Sequence, residues 1–122
     1  MRYMLDTSIC IAVLKGESEA CLARLEGLAT GQAATSSIVA AELLVGAARS
    51  NATGVVERFL DRVSPLPFDR VCAAAYGRLP FSRGSFDRLI AAHAMALDLI
   101  LVTANEKDFR FPGLSVENWT TA

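Results

Sequence analysis

The sequence predicts an α/β fold, a three-layer α/β/α sandwich around a central, mostly parallel sheet of four to five strands. Short apolar runs such as Tyr3–Leu5 and Ile100–Val102 are typical of strands that are buried on both faces. Capped segments with helical periodicity separate these runs, and strands that alternate with helices indicate parallel β-α units. At 122 residues the chain has the size of one domain. We therefore predict a single domain over residues 1–122.

The first half of the chain is predicted to contain two strands and four helices. Thr7 or Ser8 caps the first helix, which Gly16 stops, and Ser36 or Ser37 caps the third. The fourth helix is indicated by apolar residues at intervals of three and four. The predicted elements are strand 3–5, helix 8–15, helix 18–25, strand 33–35, a helix that runs to about residue 50, and helix 55–63.

The second half is predicted to contain the remaining strands and two more helices. Pro65 and Pro67 remove ladder donors, so strand 65–68 belongs at an edge of the sheet. Asp69 and Ser85 are the predicted caps of the two helices. The remaining elements are a helix that runs to Leu79, a loop over residues 80–85, helix 86–97, strand 100–102 and strand 114–116.

Composition and charge exclude several classes of protein. The net charge is −1 and 52% of the residues are hydrophobic, yet no apolar run approaches the roughly 20 residues of a membrane span. The N-terminus lacks the pattern of a signal peptide. Cys10, Cys21 and Cys72 are odd in number and lack ligand-like spacing, which argues against disulfides and structural zinc. We expect a soluble cytoplasmic protein with reduced core thiols and no membrane association.

Four acidic residues stand next to apolar runs, where an unpaired carboxylate costs several kcal/mol if it is buried. They are Asp6, Glu42, Asp87 and Asp108, each placed near the boundary of a predicted element or inside an apolar helix. Sites of open parallel sheets form at the carboxyl ends of the strands. Carboxylate oxygens suit Mg²⁺ and Mn²⁺. The four acids together therefore predict one pocket that binds a divalent metal.

Each acid also has a structural interpretation when it is taken alone. Asp87 fits the first turn of a helix, Asp6 an N-cap and Asp108 a turn. Glu42 fits an ion pair with an arginine across the core. The structural interpretation weakens for the set, because it requires four independent coincidences at one end of the sheet.

Five segments in order resemble the PIN-domain ribonucleases of the VapC type, the toxins of bacterial type II toxin–antitoxin pairs. Each motif is weak by itself, whereas the ordered set covers nearly the whole chain and is specific. The segments are Leu5–Ser8, Ala41–Gly46, Phe86–Ala94, Val102–Phe109 and Pro112–Trp119.

The resemblance implies an RNA endonuclease that depends on Mg²⁺, with Mn²⁺ as an alternative. The metal-binding and catalytic acids of the family map onto Asp6, Glu42, Asp87 and Asp108, and the supporting polar residue maps onto Thr7 or Ser8. Asn105 stands where some relatives carry an acid, so the fourth ligand, assigned to Asp108, is alternatively shared between Asn105 and Asp108 or supplied through water. The resemblance thus gives Thr7 or Ser8 a supporting role and makes Asn105 an alternative metal ligand.

The resemblance also implies partners. They are an RNA substrate such as tRNA or rRNA, a small VapB-like antitoxin that keeps the enzyme inactive, and a second copy of the chain in a homodimer. Operator DNA is expected to be reached only through the antitoxin. Apolar residues in segments 9–14 and 55–60 offer a surface for a partner helix, and a basic residue of the partner is expected near Asp6 and Asp87.

Two basic features have open interpretations. Arg70, Arg78 and Arg83 fall in an acid-free stretch, which makes Arg78 and Arg83 candidate RNA contacts or ordinary solvated arginines. His93 lies six residues after Asp87, about 120° around a helix, so a structural or partially exposed role is expected. Because it is the only histidine, a mechanism with paired histidines is excluded.

Two other functions compete with the metal-dependent nuclease. An aspartate-based phosphohydrolase also begins with a strand that ends in Asp, but it requires a second Asp two residues later, where this chain has Ser8. A catalytically inactive PIN-like module would only bind an antitoxin. Such a module has no need for Asp6, Glu42 and Asp87, and their presence argues against it.

Overall fold

Five parallel strands form one sheet in the computed structural model, which describes residues 1–80 and 84–120. The order across the sheet is β3-β2-β1-β4-β5, and each pair of neighbours is parallel. The predicted fold class is confirmed. The strands are β1 (Tyr3–Leu5), β2 (Ala33–Ser36), β3 (Ser64–Leu66), β4 (Ile100–Val102) and β5 (Val116–Glu117).

Six α-helices connect these strands in the described part of the chain. Four lie before β3 in the sequence, two lie between β3 and β4, and a one-turn 3₁₀ helix over Glu106–Asp108 follows β4. The helices are α1 (Thr7–Leu14), α2 (Glu19–Glu26), α3 (Ser37–Ser50), α4 (Thr53–Arg62), α5 (Arg70–Gly77) and α6 (Phe86–Ala96).

The sheet is the centre of the core. All residues of β1 and β2 are buried, as are Leu101 and Val102 of β4, so helices cover both faces of the sheet. The three cysteines are buried, as expected. No helix in the described ranges is long and apolar enough to cross a membrane.

The direction of the chain reverses beside β1, and this reversal defines where a site forms. From β1 the chain adds β2 and then β3 on one side, and it returns to add β4 and then β5 on the other side. The carboxyl ends of β1 and β4 therefore flank the topological switch point of the sheet. Asp6 directly follows β1 and Thr103 directly follows β4, and the register pairs Leu5 with Val102.

Several predicted boundaries are wrong by a few residues. The cap of α1 is Asp6, whose Oδ1 accepts a hydrogen bond from Ile9 N at 3.2 Å, rather than Thr7 or Ser8. The helix α5 ends at Gly77, before the predicted Leu79. Strand β3 begins before the first proline, at Ser64, and ends at Leu66. Strand β5 begins at Val116, because its register with β4 determines its position more than its own pattern does.

Candidate active site

Asp6 is the fixed centre of the site. Its side chain is 4% exposed and accepts three hydrogen bonds. Ser8 Oγ donates to Oδ1 at 2.6 Å, Ile9 N donates to the same oxygen at 3.2 Å, and Thr103 Oγ1 donates to Oδ2 at 2.6 Å. Burial raises the pKa of Asp6 above its usual 3.8, and the hydrogen bonds from Ser8 and Thr103 oppose that rise. One lone pair of Oδ2 remains for a further ligand.

Ser8 and Thr103 connect Asp6 to the loop that follows β4. Ser8 Oγ accepts a hydrogen bond from Ala104 N at 3.0 Å, and Thr103 Oγ1 accepts one from Asn105 N at 2.9 Å. Each hydroxyl thus donates to the Asp6 carboxylate and accepts from a backbone N–H beyond β4. The two strand ends are held together through side chains as well as through the sheet.

Glu42 projects from the second turn of α3 toward the start of α1. Thr7 Oγ1 donates a hydrogen bond of 2.8 Å to Glu42 Oε1, and the Glu42 side chain is half-buried. The expected alternative of an ion pair is wrong for the described residues, where the one salt bridge joins Arg24 and Glu117. Thr7 therefore orients Glu42, whereas Ser8 orients Asp6.

Asp87 and Asp108 complete the group of acids. Asp87 lies in the first turn of α6, and Ser85 Oγ caps that helix by accepting from Arg88 N, so Asp87 is free of the capping role. Its pKa is raised above 3.8 by partial burial and by the negative charges of Asp108, Asp6 and Glu42, in that order. The field of all three carboxylates at Asp87 shows that the four acids share one region.

The chemistry of the donors fits a hydrated divalent cation. All four acids offer carboxylate oxygens, and no ion pair among the described residues neutralises their charge. In the same ranges no three His, Cys, Asp or Glu side chains stand close enough to enclose an ion. Mg²⁺ retains several waters and binds proteins through one or two carboxylates, so a closed cage is not required. The residue types of the four acids therefore suit such an ion.

The other predicted site residues take different positions. Asn105 precedes the 3₁₀ helix, where its side chain is exposed and makes no capping hydrogen bond. Arg70 and Arg78 are both exposed and lie at opposite ends of α5, about 12 Å of helix apart. The Arg78 end lies near the start of α6, because Tyr76 contacts the guanidinium of Arg88 at 5.4 Å. Arg83 lies outside the described residues.

His93 is a core residue, so the expected structural role is confirmed and the expected partial exposure is wrong. Its side chain is 0% exposed, Nδ1 lies 2.8 Å from Ser36 Oγ, and its ring meets the edge of Phe68 at 5.5 Å. Nε2 has no hydrogen-bond partner in the structure as described. Burial lowers the pKa of His93, and the charge of Asp69 partly opposes this. His93 thus ties α6 to the start of α3.

Thr103 is the site residue that the sequence interpretation missed. Its hydroxyl makes one of the two 2.6 Å hydrogen bonds to Asp6. A signal for it was present, because Thr103 is the first polar residue after a buried strand, as Asp6 is after β1. The adjacency of β1 and β4 was needed to use that signal.

Comparison with known proteins identifies relatives across the full chain. The profile of the PIN domain matches residues 3–112. The Ribonuclease VapC2 of Rickettsia felis is 38% identical to this chain, and the match covers 98% of this chain and 98% of that protein. The tRNA(fMet)-specific endonuclease VapC of Shigella flexneri is 35% identical, over 98% of this chain and 99% of that protein. A crystal structure of DNA-bound VapBC from Salmonella typhimurium contains a chain that superposes with a TM-score of 0.87 at 34% identity, over 98% of both chains.

These matches agree with the geometry of the site. The profile of the family spans Asp6, Glu42 and Asp108 together with Asp87, whose pKa the charges of the other three raise. The relatives match over nearly their whole lengths, so the similarity is not limited to one motif. The chain therefore belongs to the PIN-domain family and, within it, to the VapC type.

Proposed function

We propose that this chain is a metal-dependent RNA endonuclease that acts as the toxin of a toxin–antitoxin pair. The observation that carries the proposal is the position of Asp6 at the switch point of a parallel sheet, held by Ser8 and Thr103, with the charges of Asp6, Glu42 and Asp108 acting on Asp87. Similarity to the VapC ribonucleases supports the same activity. The reaction is hydrolysis of a phosphodiester bond of RNA by water.

The residues of the chain have separable roles in this activity. Asp6 is held rigidly by Ser8 and Thr103, and Glu42 is oriented by Thr7. Asp87 and Asp108 are both exposed, and they add negative charge to the site. Bound Mg²⁺ or Mn²⁺ would activate water and offset the charge that develops on the phosphate. Without a cation the four carboxylates repel both one another and the phosphodiester.

The substrate is proposed to be a structured RNA. The name of the relative from Shigella flexneri specifies a tRNA, which makes tRNA the first candidate, with rRNA second. Arg78, exposed at the end of α5 near the start of α6, is the described arginine best placed to contact a backbone phosphate. Arg83 remains a candidate on the basis of the sequence alone.

The replacement Asp87→Asn tests the activity and the site together. The amide keeps the size of the side chain and removes the charge, so metal affinity should fall at least about tenfold, and cleavage with it. Without metal the variant should be more stable than the parent at neutral pH. A raised folded pKa means that ionisation of Asp87 opposes folding above about pH 3.8.

Three measurements check this prediction. Calorimetric titration with Mn²⁺ gives the metal affinity, thermal unfolding in EDTA gives the stability, and mapping of cut ends in total RNA gives the cleavage. Asp98→Asn makes the same chemical change at an exposed acid that stands after α6 and serves as the control. Parental cleavage by Asp87→Asn would show that the site is assigned wrongly. A parent that binds partner but cuts no RNA would favour the inactive antitoxin-binding module.

A VapB-like protein is the proposed inhibitor, and an apolar groove supports this. The groove has a volume of about 520 Å³ and lies between α1, α3 and α4, with Glu42 among its lining residues. A partner helix in it would bury apolar surface, and a basic residue that follows would reach the acids. The apolar lining consists of Ile11, Leu14, Leu43, Gly46, Ala47, Ala52, Val55 and Val56.

The remaining parts of the proposal concern assembly and location. The structural neighbours include VapBC complexes bound to DNA, which supports contact with operator DNA through the antitoxin. We also propose a homodimer and a cytoplasmic location, in which the three buried thiols stay reduced. Light scattering of the purified chain tests the homodimer directly.

A further inference from the structure

Phe86 exposes an aromatic ring at the edge of the acidic site. It is the first residue of α6 and the direct neighbour of Asp87, and 58% of its side chain is exposed. The capping of α6 by Ser85 fixes the backbone at this point. An aromatic ring exposed beside the proposed site for a phosphodiester is available to stack on a base of the substrate.

The ring borders a small apolar groove that is continuous with the acids. The groove has a volume of about 340 Å³ and is lined by Phe86 together with Ile38, Ala41 and Val45 of α3. Glu42 lines the same groove. The groove therefore combines one carboxylate of the proposed site with an aromatic ring and aliphatic side chains.

We propose that this groove receives one unpaired base of the RNA substrate, which stacks on Phe86. The inference rests on the proposed function and adds a residue that binds the substrate. Proteins read single-stranded RNA by stacking splayed bases on aromatic side chains. A nucleotide whose phosphate lies beside a cation near Asp87 and Glu42 has its base within reach of Phe86, the residue that precedes Asp87 in α6. The aliphatic wall of α3 then covers the second face of the base.

The size and the placement of the groove favour a base over a protein segment. A stable contact with a second protein needs about 800 Å² on each partner, and this patch offers four apolar side chains. Its volume is at the lower end of the range for small-molecule pockets. The larger apolar groove between α1, α3 and α4 suits a helix, whereas this one suits a single planar group.

The experiment measures cleavage of a short single-stranded RNA that carries the mapped cut site. Phe86→Ala should lower kcat/KM about tenfold, mainly through KM, whereas Phe86→Trp should keep it near the parental value. Phe86→Leu keeps apolar bulk without an aromatic face and should resemble the alanine variant. Val71→Ala is the control, because Val71 is also 58% exposed but lies on α5. It should have no effect.

Abasic substitutions along the same RNA identify the contacted base. We compare the loss in the logarithm of kcat/KM for base removal, for Phe86→Ala and for both together. At one position next to the cut bond, the combined loss should be smaller than the sum of the two separate losses. Additive losses at every position would overturn the proposal. It is also overturned if Phe86→Ala changes the oligomeric state and leaves kcat/KM per subunit unchanged. A parent that cuts no RNA at all rejects the proposed function and this inference together.

Discussion

Ser8 carries two hydrogen bonds at the centre of the acidic site, so it is the residue where the rigidity of Asp6 can be tested. In Ser8→Ala, Asp6 Oδ1 loses its 2.6 Å donor, and Ala104 N loses its acceptor. We expect metal affinity to fall roughly tenfold to hundredfold, as for other residues that orient a metal ligand. Stability should fall by about 1–3 kcal/mol, because a buried donor is left unpaired.

Calorimetry with Mn²⁺ and urea unfolding measure these two effects separately. Ser18→Ala is a matched control, since Ser18 Oγ accepts one hydrogen bond at the N-terminus of α2, from Cys21 N at 3.2 Å. It should cost about 1 kcal/mol of stability and leave the metal affinity alone. Unchanged metal affinity in Ser8→Ala would mean that Thr103 and the backbone of Ile9 orient Asp6 without Ser8.

His93 should make the stability of the protein depend on pH. Burial lowers its folded pKa below 6.5, so the folded state binds fewer protons than the unfolded state. The contribution of neutral His93 to the free energy of unfolding is complete above about pH 6.5. It is lost as the pH falls from there toward the pKa of His93 in the folded state. The expected loss is about 1.4 kcal/mol for each unit between the two pKa values.

The difference between the parent and His93→Gln isolates this effect, because the chain has one histidine. Urea unfolding between about pH 5 and pH 7.5 covers the range in which histidine titrates. The raised pKa values of Asp6 and Asp87 act in the opposite direction just above pH 3.8 and are common to both proteins. Parallel stability curves for the parent and the variant would contradict the prediction.

At the scale of single elements, the end of α6 contains a residue in an unusual conformation. Asp98 has a φ of 54°, in the left-handed region. Leu99 N donates to Ala94 O at 2.9 Å and Asp98 N to Met95 O at 3.2 Å, which is the Schellman pattern of helix ends. Asp98→Gly should therefore stabilise the protein by up to about 1 kcal/mol, because glycine adopts this conformation without steric cost.

Asp98→Ala provides the contrast for this prediction. Alanine lacks the short polar side chain that helps aspartate tolerate the left-handed region, so this variant should be less stable than the parent. Thermal unfolding ranks the three proteins as glycine above aspartate above alanine. Equal shifts for glycine and alanine would show that the charge of Asp98, rather than its backbone conformation, determines the effect.

The elements show which parts of the fold can be derived from local sequence. Helix α3 was predicted with its cap, because Ser36 precedes a long apolar pattern and its Oγ accepts from Ile38 N at 3.0 Å. Strand β5 was misplaced, because a two-residue edge strand takes its register from β4 rather than from its own residues. The cap of α1 was misassigned because Asp6 caps the helix and belongs to the acidic site at once.

At the scale of the whole molecule, the site depends on topology that no local pattern contains. Asp6 and Thr103 are 97 residues apart in the sequence. Thr103 Oγ1 lies 2.6 Å from Asp6 Oδ2 only because β4 pairs with β1. The acids were identifiable as isolated charges in apolar surroundings, and Thr7 and Ser8 were identifiable through the family resemblance, whereas Thr103 was not. Ser and Thr are ordinary at strand ends, so only the arrangement of strands distinguishes Thr103 from any other threonine.

Inhibition by a partner can be separated from catalysis at Gly46, which lines the groove between α1, α3 and α4. A Cβ added at Gly46 would meet no atom within 4 Å, and leucine has a higher helix propensity than glycine in the interior of α3. Gly46→Leu should therefore fold at least as stably as the parent and project its side chain into the groove. RNA cleavage should be retained, because the hydrogen bond from Thr7 that orients Glu42 does not involve Gly46.

The partner, by contrast, should lose the space that its helix occupies. We expect the affinity of the VapB-like protein for Gly46→Leu to fall by at least about tenfold, since overpacking a fitted interface costs roughly 1–3 kcal/mol. Gly77→Leu is the matched control, because Gly77 also has open space around its added Cβ and lies on α5, away from the groove. If the partner inhibited Gly46→Leu at the same concentration at which it inhibits the parent, the antitoxin would have to bind another face of the protein.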